Sequence, residues 1–174
     1  GYIVTATYLP VIARGALPAG SMWPDLFWPM FGGGVALGAY LSTHVPARWD
    51  RRKLLMAGYA IQAVSIGVSY LWPTPLGFAL GSIFLGLPFT TLTFFALQEA
   101  RRIWPEAISS FPGLITAAYG LGQIVGPPMV AYALTRTANT QTGFAYGLAV
   151  AAGALLLGCL LYGWMVLRHP HRVA

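Results

Sequence analysis

Five long stretches without a charged residue dominate the chain, and each is long enough to cross a lipid bilayer. A hydrocarbon core of about 30 Å needs about 20 apolar residues in helical form, and a helix that is apolar on every side has no face for water. The sequence therefore predicts an all-α integral membrane protein with most of its mass in lipid. The stretches are Leu26–Val45, Leu54–Trp72, Leu76–Gln98, Gly113–Thr135 and Gly143–Leu167.

The composition excludes a large soluble domain. Charged residues make up 8% of the chain, against roughly 25% in ordinary soluble proteins, and the segments between the apolar stretches are short. The net charge of +6 sits in these connecting segments and forms no continuous basic face. A nucleic-acid partner is therefore not expected.

The first apolar segment, Gly1–Ala13, is about half the length of a membrane span. It lacks the basic start and the small-residue cleavage site of a signal peptide. We interpret it as the end of a sixth helix whose beginning is missing, so the chain is expected to be the C-terminal piece of a longer protein. The whole range 1–174 is then one transmembrane unit, with predicted helices at 1–13, 26–45, 54–72, 76–98, 113–135 and 143–167.

The basic residues alternate between the two sides that six helices would create. Eight fall on one side, and Arg14 and Arg136 fall on the other. Because Lys and Arg in short loops accumulate on the cytoplasmic side, the first side and the C-terminus are predicted to be cytoplasmic. The eight residues are Arg48, Arg51, Arg52, Lys53, Arg101, Arg102, Arg168 and Arg172.

Glycine and proline are frequent within the predicted spans. Glycines four residues apart allow two helices to approach closely, and prolines are predicted to bend their helices. The glycine pairs are Gly34/Gly38, Gly77/Gly81, Gly122/Gly126 and Gly143/Gly147, and the prolines are Pro29, Pro88, Pro127 and Pro128.

Catalytic and metal-binding motifs such as HExxH, CxxC and GxSxG are absent from the sequence, so neither an enzyme nor a cofactor or metal site is expected. The acidic residue nearest to a span is Glu99, beside Arg101 and Arg102. Ionisable groups within a membrane usually mark function, and the predicted spans are expected to lack a buried acid. If the protein couples transport to protons, the titrating group is expected in the missing part of the protein or is Glu99. The alternative is a paired or solvated residue at the end of a helix.

Two stripes of polar and aromatic residues follow a helical spacing on neighbouring spans. They predict a shared watery cavity, which residues of the first segment would join. The alternative is hydrogen bonding between packed helices, which is worth about 0.6 kcal/mol on average. The candidate cavity residues are Thr91, Phe94, Phe95 and Gln98 on the fourth span, Thr116, Tyr119 and Gln123 on the fifth, and Thr5 and Tyr8 on the first.

Two motifs resemble those of the major facilitator superfamily. The spacing of Gly113, Gly122 and the Gly126-Pro127 step resembles the antiporter-type Gly-Pro motif, although Val130 and Ala131 stand where two further glycines are usual. The segment 47–53 resembles the basic loop that follows the second helix of each half in that superfamily. Its basic residues match, whereas Ala47 and Asp50 replace the usual leading acid and glycine.

The basic loop and the Gly-Pro segment are together expected to take part in gating, through Arg48, Asp50, Arg51 and Arg52 in the loop and through the tight packing of the glycines. Asp50 or neighbouring helix C-termini could pair with the basic cluster.

The segments 1–10, 27–32 and 116–123 are similar to the C-terminal half of the YbfB/YjiJ-like branch of bacterial major facilitators. This resemblance implies helices seven to twelve of a twelve-helix transporter in the bacterial cytoplasmic membrane. It implies three partners, which are a small-molecule solute, the bilayer and a missing N-terminal half. By the same analogy, the first, second, fourth and fifth spans line the cavity, and the solute binds near mid-membrane.

The leading hypothesis is a secondary transporter half that works by alternating access. The alternative is a non-transporting membrane helical module or subunit that packs against a partner. The sequence does not indicate which solute is moved.

Overall fold

The computed structural model describes residues 2–107, 110–137 and 139–169, and these residues form an all-α bundle without a β-strand. A short 3₁₀ turn, Pro105–Ala107, follows the fifth helix. The helices are α1 (Tyr2–Ala16), α2 (Phe27–Thr43), α3 (Arg51–Leu71), α4 (Pro75–Gly86), α5 (Phe89–Ile103), α6 (Phe111–Arg136) and α7 (Thr140–Arg168).

Four described segments are long and apolar enough to cross a membrane: α3, the joined segment Pro75–Ile103, α6 and α7. The remaining two, α1 and α2, are shorter, with 15 and 17 residues. The chain is thus a multi-pass membrane protein, and α1 continues three residues beyond the predicted end at Ala13.

The fourth predicted helix is interrupted near its middle. Pro88 has no N–H to donate to the carbonyl of Phe84, and α4 ends at Gly86 while α5 begins at Phe89. The buried side chain of Gln62 on α3 donates from Nε2 to the carbonyl of Leu85 at 3.2 Å. This bond gives a carbonyl at the end of α4 a hydrogen-bond donor from within the bundle.

The other predicted bends have different outcomes. Pro29 lies in the first turn of α2, where backbone N–H groups have no partner within the helix, so it has no reason to bend α2. Pro127 and Pro128 lie inside α6, which is assigned as one continuous helix from Phe111 to Arg136.

Glycines set the crossing of α2 with the joined α4–α5 segment. A Cβ on Gly34 would overlap the carbonyl oxygen of Ile83, a Cβ on Gly38 would overlap that of Leu87, and a Cβ on Gly86 would overlap that of Phe31. Each helix backbone therefore rests directly on the other, as small-residue pairs allow. Gly143 and Gly147 of α7 give similar room to side chains of α6.

Helix α1 lies between two apolar clusters and touches both. Ala6, Leu9 and Ala13 pack with residues of α2 and α4, while Val4 packs with residues of α3, α6 and α7. This central position places the first turns of α1 beside the middle of the neighbouring helices.

The basic residues that were predicted to share one side of the membrane lie at one end of the bundle, as far as the structure describes them. The N-terminus of α3 and the C-termini of α5 and α7 meet there, joined by contacts of Arg52 with Glu99, Met165 and His169. We call this the basic end. Arg172 lies outside the described residues. Arg14 pairs at 2.6 Å with Asp25, the residue two before α2, so this ion pair marks the opposite end of α2.

Candidate functional site

A hydrogen-bonded group of three side chains joins α1 to α6. The hydroxyl groups of Tyr2 and Tyr119 bond to each other, and Gln123 donates from Nε2 to the Tyr2 hydroxyl at 3.0 Å. The two tyrosine rings are stacked with their centroids 5.7 Å apart. We call Tyr2, Tyr119 and Gln123 the central group.

Aromatic rings extend the central group toward α5 and α2. The ring of Phe89 packs edge-on against the rings of Tyr2 and Tyr119, with centroid distances of 4.8 and 6.3 Å. The ring of Phe31 contacts Phe89 with a centroid distance of 5.6 Å. Phe89 stands midway along the joined segment Pro75–Ile103. The central group therefore lies near the middle of the membrane-crossing length.

Most of α6 is left uncovered by the other helices. Val130 and Ala133 are the buried residues of α6, and Tyr119 remains 38% exposed. A Cβ on Gly113 or Gly122 would meet no described atom within 4 Å. Neither glycine therefore packs closely against a described residue, and the packing role of Gly113 and Gly122 stays a prediction.

The Gly126-Pro127 step does contact α1. A Cβ on Gly126 would approach Cγ2 of Ile3 at 3.1 Å and Cγ2 of Val4 at 3.2 Å. The hydroxyl of Tyr8 donates to the carbonyl of Pro127 at 2.9 Å. These contacts attach the proline-containing part of α6 to α1, one turn beyond the central group.

A buried charge network joins three helices at the basic end. The guanidinium group of Arg52 is 2% exposed and donates to both carboxylate oxygens of Asp50, at 3.0 and 2.8 Å. It also donates to the carbonyls of Met165 and His169 at the end of α7, at 3.3 and 2.6 Å. Asp50 additionally caps α3 by accepting from the backbone N–H of Arg52.

Glu99 connects α5 to this network. Its carboxylate lies 2.5 Å from Nη2 of Arg102 and 3.9 Å from Nε of Arg52, and the residue is 4% exposed. Glu99 is therefore a buried, paired acid inside α5. The expectation that the spans lack a buried acid is wrong, because α5 continues five residues beyond Gln98 to Ile103.

The structure divides the predicted cavity residues into separate sites. Gln98 accepts a hydrogen bond from Nε of Arg51 and lines a cavity at the basic end together with Phe94 and Phe95. Tyr119 and Gln123 belong instead to the central group. One shared cavity lined by both stripes is thus not present among the described residues.

The predicted threonines make structural contacts or remain unpaired. Thr91 bonds to the hydroxyl of Ser42 at 2.8 Å and donates to the carbonyl of Gly38 at 3.2 Å, so it links α5 to α2. Thr5 is 1% exposed, and its hydroxyl has no hydrogen-bond partner among the described residues. Thr116 is exposed on α6.

A family model described as "Uncharacterised MFS-type transporter YbfB" matches residues 1–162. The chain belongs to this family of major facilitators. No match was found among curated proteins or among solved structures.

Membership in the YbfB family confirms the predicted relationship and gives the chain a transporter role in a membrane. Within this YbfB-family chain, the four helices that meet around the central group are α1, α2, α5 and α6. They correspond to the first, second, fourth and fifth predicted spans, which the resemblance assigned to the cavity.

Sequence reasoning missed three members of the central region of this YbfB-family protein: Tyr2, Phe31 and Phe89. Tyr2 stands one helical turn before Thr5 and continues a stripe that was recognised. Phe89 follows the helix-breaking Pro88 and lies on the other side of α5 from the stripe of Thr91 and Gln98. Their pairing with α6 depends on which helices are neighbours, which spacing along the chain does not encode.

Proposed function

We propose that the chain is the C-terminal half of a secondary transporter that moves a small solute across the bacterial cytoplasmic membrane by alternating access. The other wall of the solute path would come from an N-terminal half. The central group carries this proposal, because it combines stacked rings, two hydroxyl groups and an amide near mid-membrane on the uncovered face of α6. Family membership favours transport over the alternative of a packing module.

The chemistry of the central group favours a solute without a strong charge. The contacts that build it come from tyrosine, phenylalanine and glutamine side chains. The buried charges gather at the basic end instead, in the network of Asp50, Arg52 and Glu99. A neutral or amphipathic solute could exchange hydrogen bonds with Gln123 and stack on the exposed ring of Tyr119.

The charge network gives the basic end a defined mechanical role in this proposal. Arg52 ties α3 to the end of α7 and to Glu99 on α5, so these three helices would move together as one body while the halves rock. Arg48 is exposed and would be available to contact the other half. A role of Glu99 in proton coupling stays a prediction.

Substitution of Gln123 by Ala is expected to raise the apparent KM for the transported solute at least about threefold, since one hydrogen bond of the site is worth about 1 kcal/mol. The solute would first be selected from a panel of neutral and amphipathic compounds with the full-length protein in proteoliposomes.

In the same assay, Gly126→Leu is expected to lower the maximal rate with little change in KM, because the larger side chain would push Ile3 and Val4 of α1 away.

The transport rates of both variants are normalised to the amount of protein in the membrane. Tyr132→Ala, on an exposed turn of α6 away from the central group, is the matched control and should leave both constants unchanged. An unchanged KM for Gln123→Ala would remove that residue from the site, and an unchanged rate for Gly126→Leu would remove the gating role of the Gly-Pro step.

The proposed orientation places the basic end in the cytoplasm. In a Cys159→Ser background, Ala47→Cys in the exposed α2–α3 connection should resist an impermeant thiol reagent added outside intact cells. Gln141→Cys, exposed at the first turn of α7, should react. Ala47 is preferable to Asp50, whose side chain is 9% exposed and holds Arg52. Labelling of Ala47→Cys with protection of Gln141→Cys would establish the opposite orientation.

A further inference from the structure

A cavity of about 180 Å³ lies at the basic end, between the C-terminus of α2, the connection to α3 and the last turns of α5. Its lining combines the polar side chains of Arg51 and Gln98 with aromatic side chains, among them Trp49 and Phe94. It is separate from the central group, with which it shares no lining residue.

Arg51 gives this cavity a positive charge that no acidic side chain in the described part of the chain pairs with. Its neighbour Arg52 is held by Asp50, whereas Arg51 donates from Nε to the amide oxygen of Gln98 and makes no ion pair with a described residue. This bond fixes the plane of the guanidinium group and uses one of its five N–H donors. The remaining donors and the amide N–H₂ of Gln98 are suited to a phosphate group, which guanidinium binds through paired hydrogen bonds.

A second cavity, of about 160 Å³, continues from the first along α2 and α5. The two share Ser42, Thr43 and Phe94, and the second extends to Ala39 and Thr90. Thr90 stands next to Phe89 at the middle of the joined α4–α5 segment, so the second cavity runs from the basic end toward the membrane centre. The hydroxyl groups of Ser42 and Thr43 donate to backbone carbonyls, which leaves this part of the wall mainly apolar.

A polar, cationic compartment at the membrane surface therefore opens into an apolar one directed at the membrane interior. A cationic compartment followed by an apolar one is complementary to an amphiphile with an anionic head group. Clusters of basic residues at a membrane surface attract anionic lipids, and basic pockets between helices bind their phosphate groups. Inorganic phosphate would use Arg51 but would leave the apolar compartment empty.

We propose that Arg51 and Gln98 bind the phosphate group of an anionic phospholipid whose acyl chain lies in the adjoining groove between α2 and α5. The bound lipid contacts α2, the start of α3 and α5 together, so it stabilises the α2–α3 connection against α5. This site does not depend on which solute the protein moves.

The test uses the full-length protein, stripped of lipid in detergent, with adducts counted by native mass spectrometry. Phosphatidylglycerol is the probe, and phosphatidylcholine and inorganic phosphate are the comparison ligands. The wild-type protein should retain phosphatidylglycerol in preference to phosphatidylcholine. Arg51→Gln should weaken that binding about tenfold, as expected for loss of a charge-assisted hydrogen-bonded pair, and Arg51→Lys should weaken it less.

Arg48→Gln is the matched control, because Arg48 is exposed in the same connection and its substitution by Gln removes the same charge as Arg51→Gln. It should change binding less than about twofold. Ala39→Phe, which fills the apolar compartment, should weaken phosphatidylglycerol binding as well. Equal losses in Arg48→Gln and Arg51→Gln would reduce the effect to general surface charge and overturn the proposal. Competition by inorganic phosphate at concentrations equal to those of the lipid would overturn it in favour of a free phosphate site.

Discussion

Substitution of Arg52 by Gln is expected to lower the free energy of unfolding by about 3–5 kcal/mol, which is the usual cost of removing one partner from a buried ion pair. The Arg52 side chain is 2% exposed and holds the carboxylate of Asp50, which is 9% exposed. Without the guanidinium group, Asp50 loses its ion pair, and the carbonyls of Met165 and His169 lose their donor. Glu99 keeps Arg102 as its partner, so the loss concentrates on Asp50 and the end of α7.

Thermal unfolding of the purified full-length protein in detergent, followed by tryptophan fluorescence, measures this effect. Arg101→Gln is the control, because Arg101 is exposed and such surface changes usually stay within about 0.5 kcal/mol. Arg52→Lys should fall between the two, since an ammonium group keeps the charge without the planar fork that spans Asp50. Equal stability of Arg52→Gln and Arg101→Gln would mean that the network does not hold α3 to α7.

Adding Asp50→Asn to Arg52→Gln should restore part of the lost stability. The second substitution removes the buried carboxylate that Arg52 contacts, and asparagine can still cap α3. A double-mutant cycle on Asp50 and Arg52 therefore measures the interaction free energy between these two side chains.

The membrane-crossing helices were predictable because their signal is local. A run of about 20 residues without charge identifies a span wherever it occurs. The same rule misplaced the helix ends. It ended the fourth helix at Gln98 and began the third at Leu54, whereas α5 continues to Ile103 and α3 begins at Arg51. Among these added helical residues, Arg52 pairs with Asp50, and Glu99 pairs with Arg102.

The composition of the candidate site was less predictable, because it depends on which helices are neighbours. Thr91 and Gln98 share a stripe on α5, but Thr91 bonds to Ser42 of α2 and Gln98 to Arg51 of α3. The stripe thus serves contacts with two different elements. Tyr2 and Tyr119 are 117 residues apart, and their pairing follows from the central position of α1, which spacing along the chain does not reveal.

Substitution of Gly38 by Ala is expected to destabilise the protein by about 3 kcal/mol, at the upper end of the cost of overpacking. A Cβ at this position would overlap the carbonyl oxygen of Leu87, which belongs to the backbone between α4 and α5 and cannot rotate away. The helices would have to separate, which would also disturb the bonds of Thr91 with Gly38 and Ser42. Gly86→Ala should have a similar effect, because its Cβ would overlap the carbonyl oxygen of Phe31 on α2.

Gly33 provides a matched control on the same helix. A Cβ there would meet no described atom within 4 Å, so Gly33→Ala should keep only the gain in helix propensity, about 0.5–1 kcal/mol. Gly153→Ala on α7 is a second control with the same open surroundings. Thermal unfolding in detergent should therefore move in opposite directions for Gly38→Ala and Gly33→Ala. Shifts of the same sign and size would show that the backbone contact between α2 and the α4–α5 break does not limit stability, and that the approach of these helices is set by other residues.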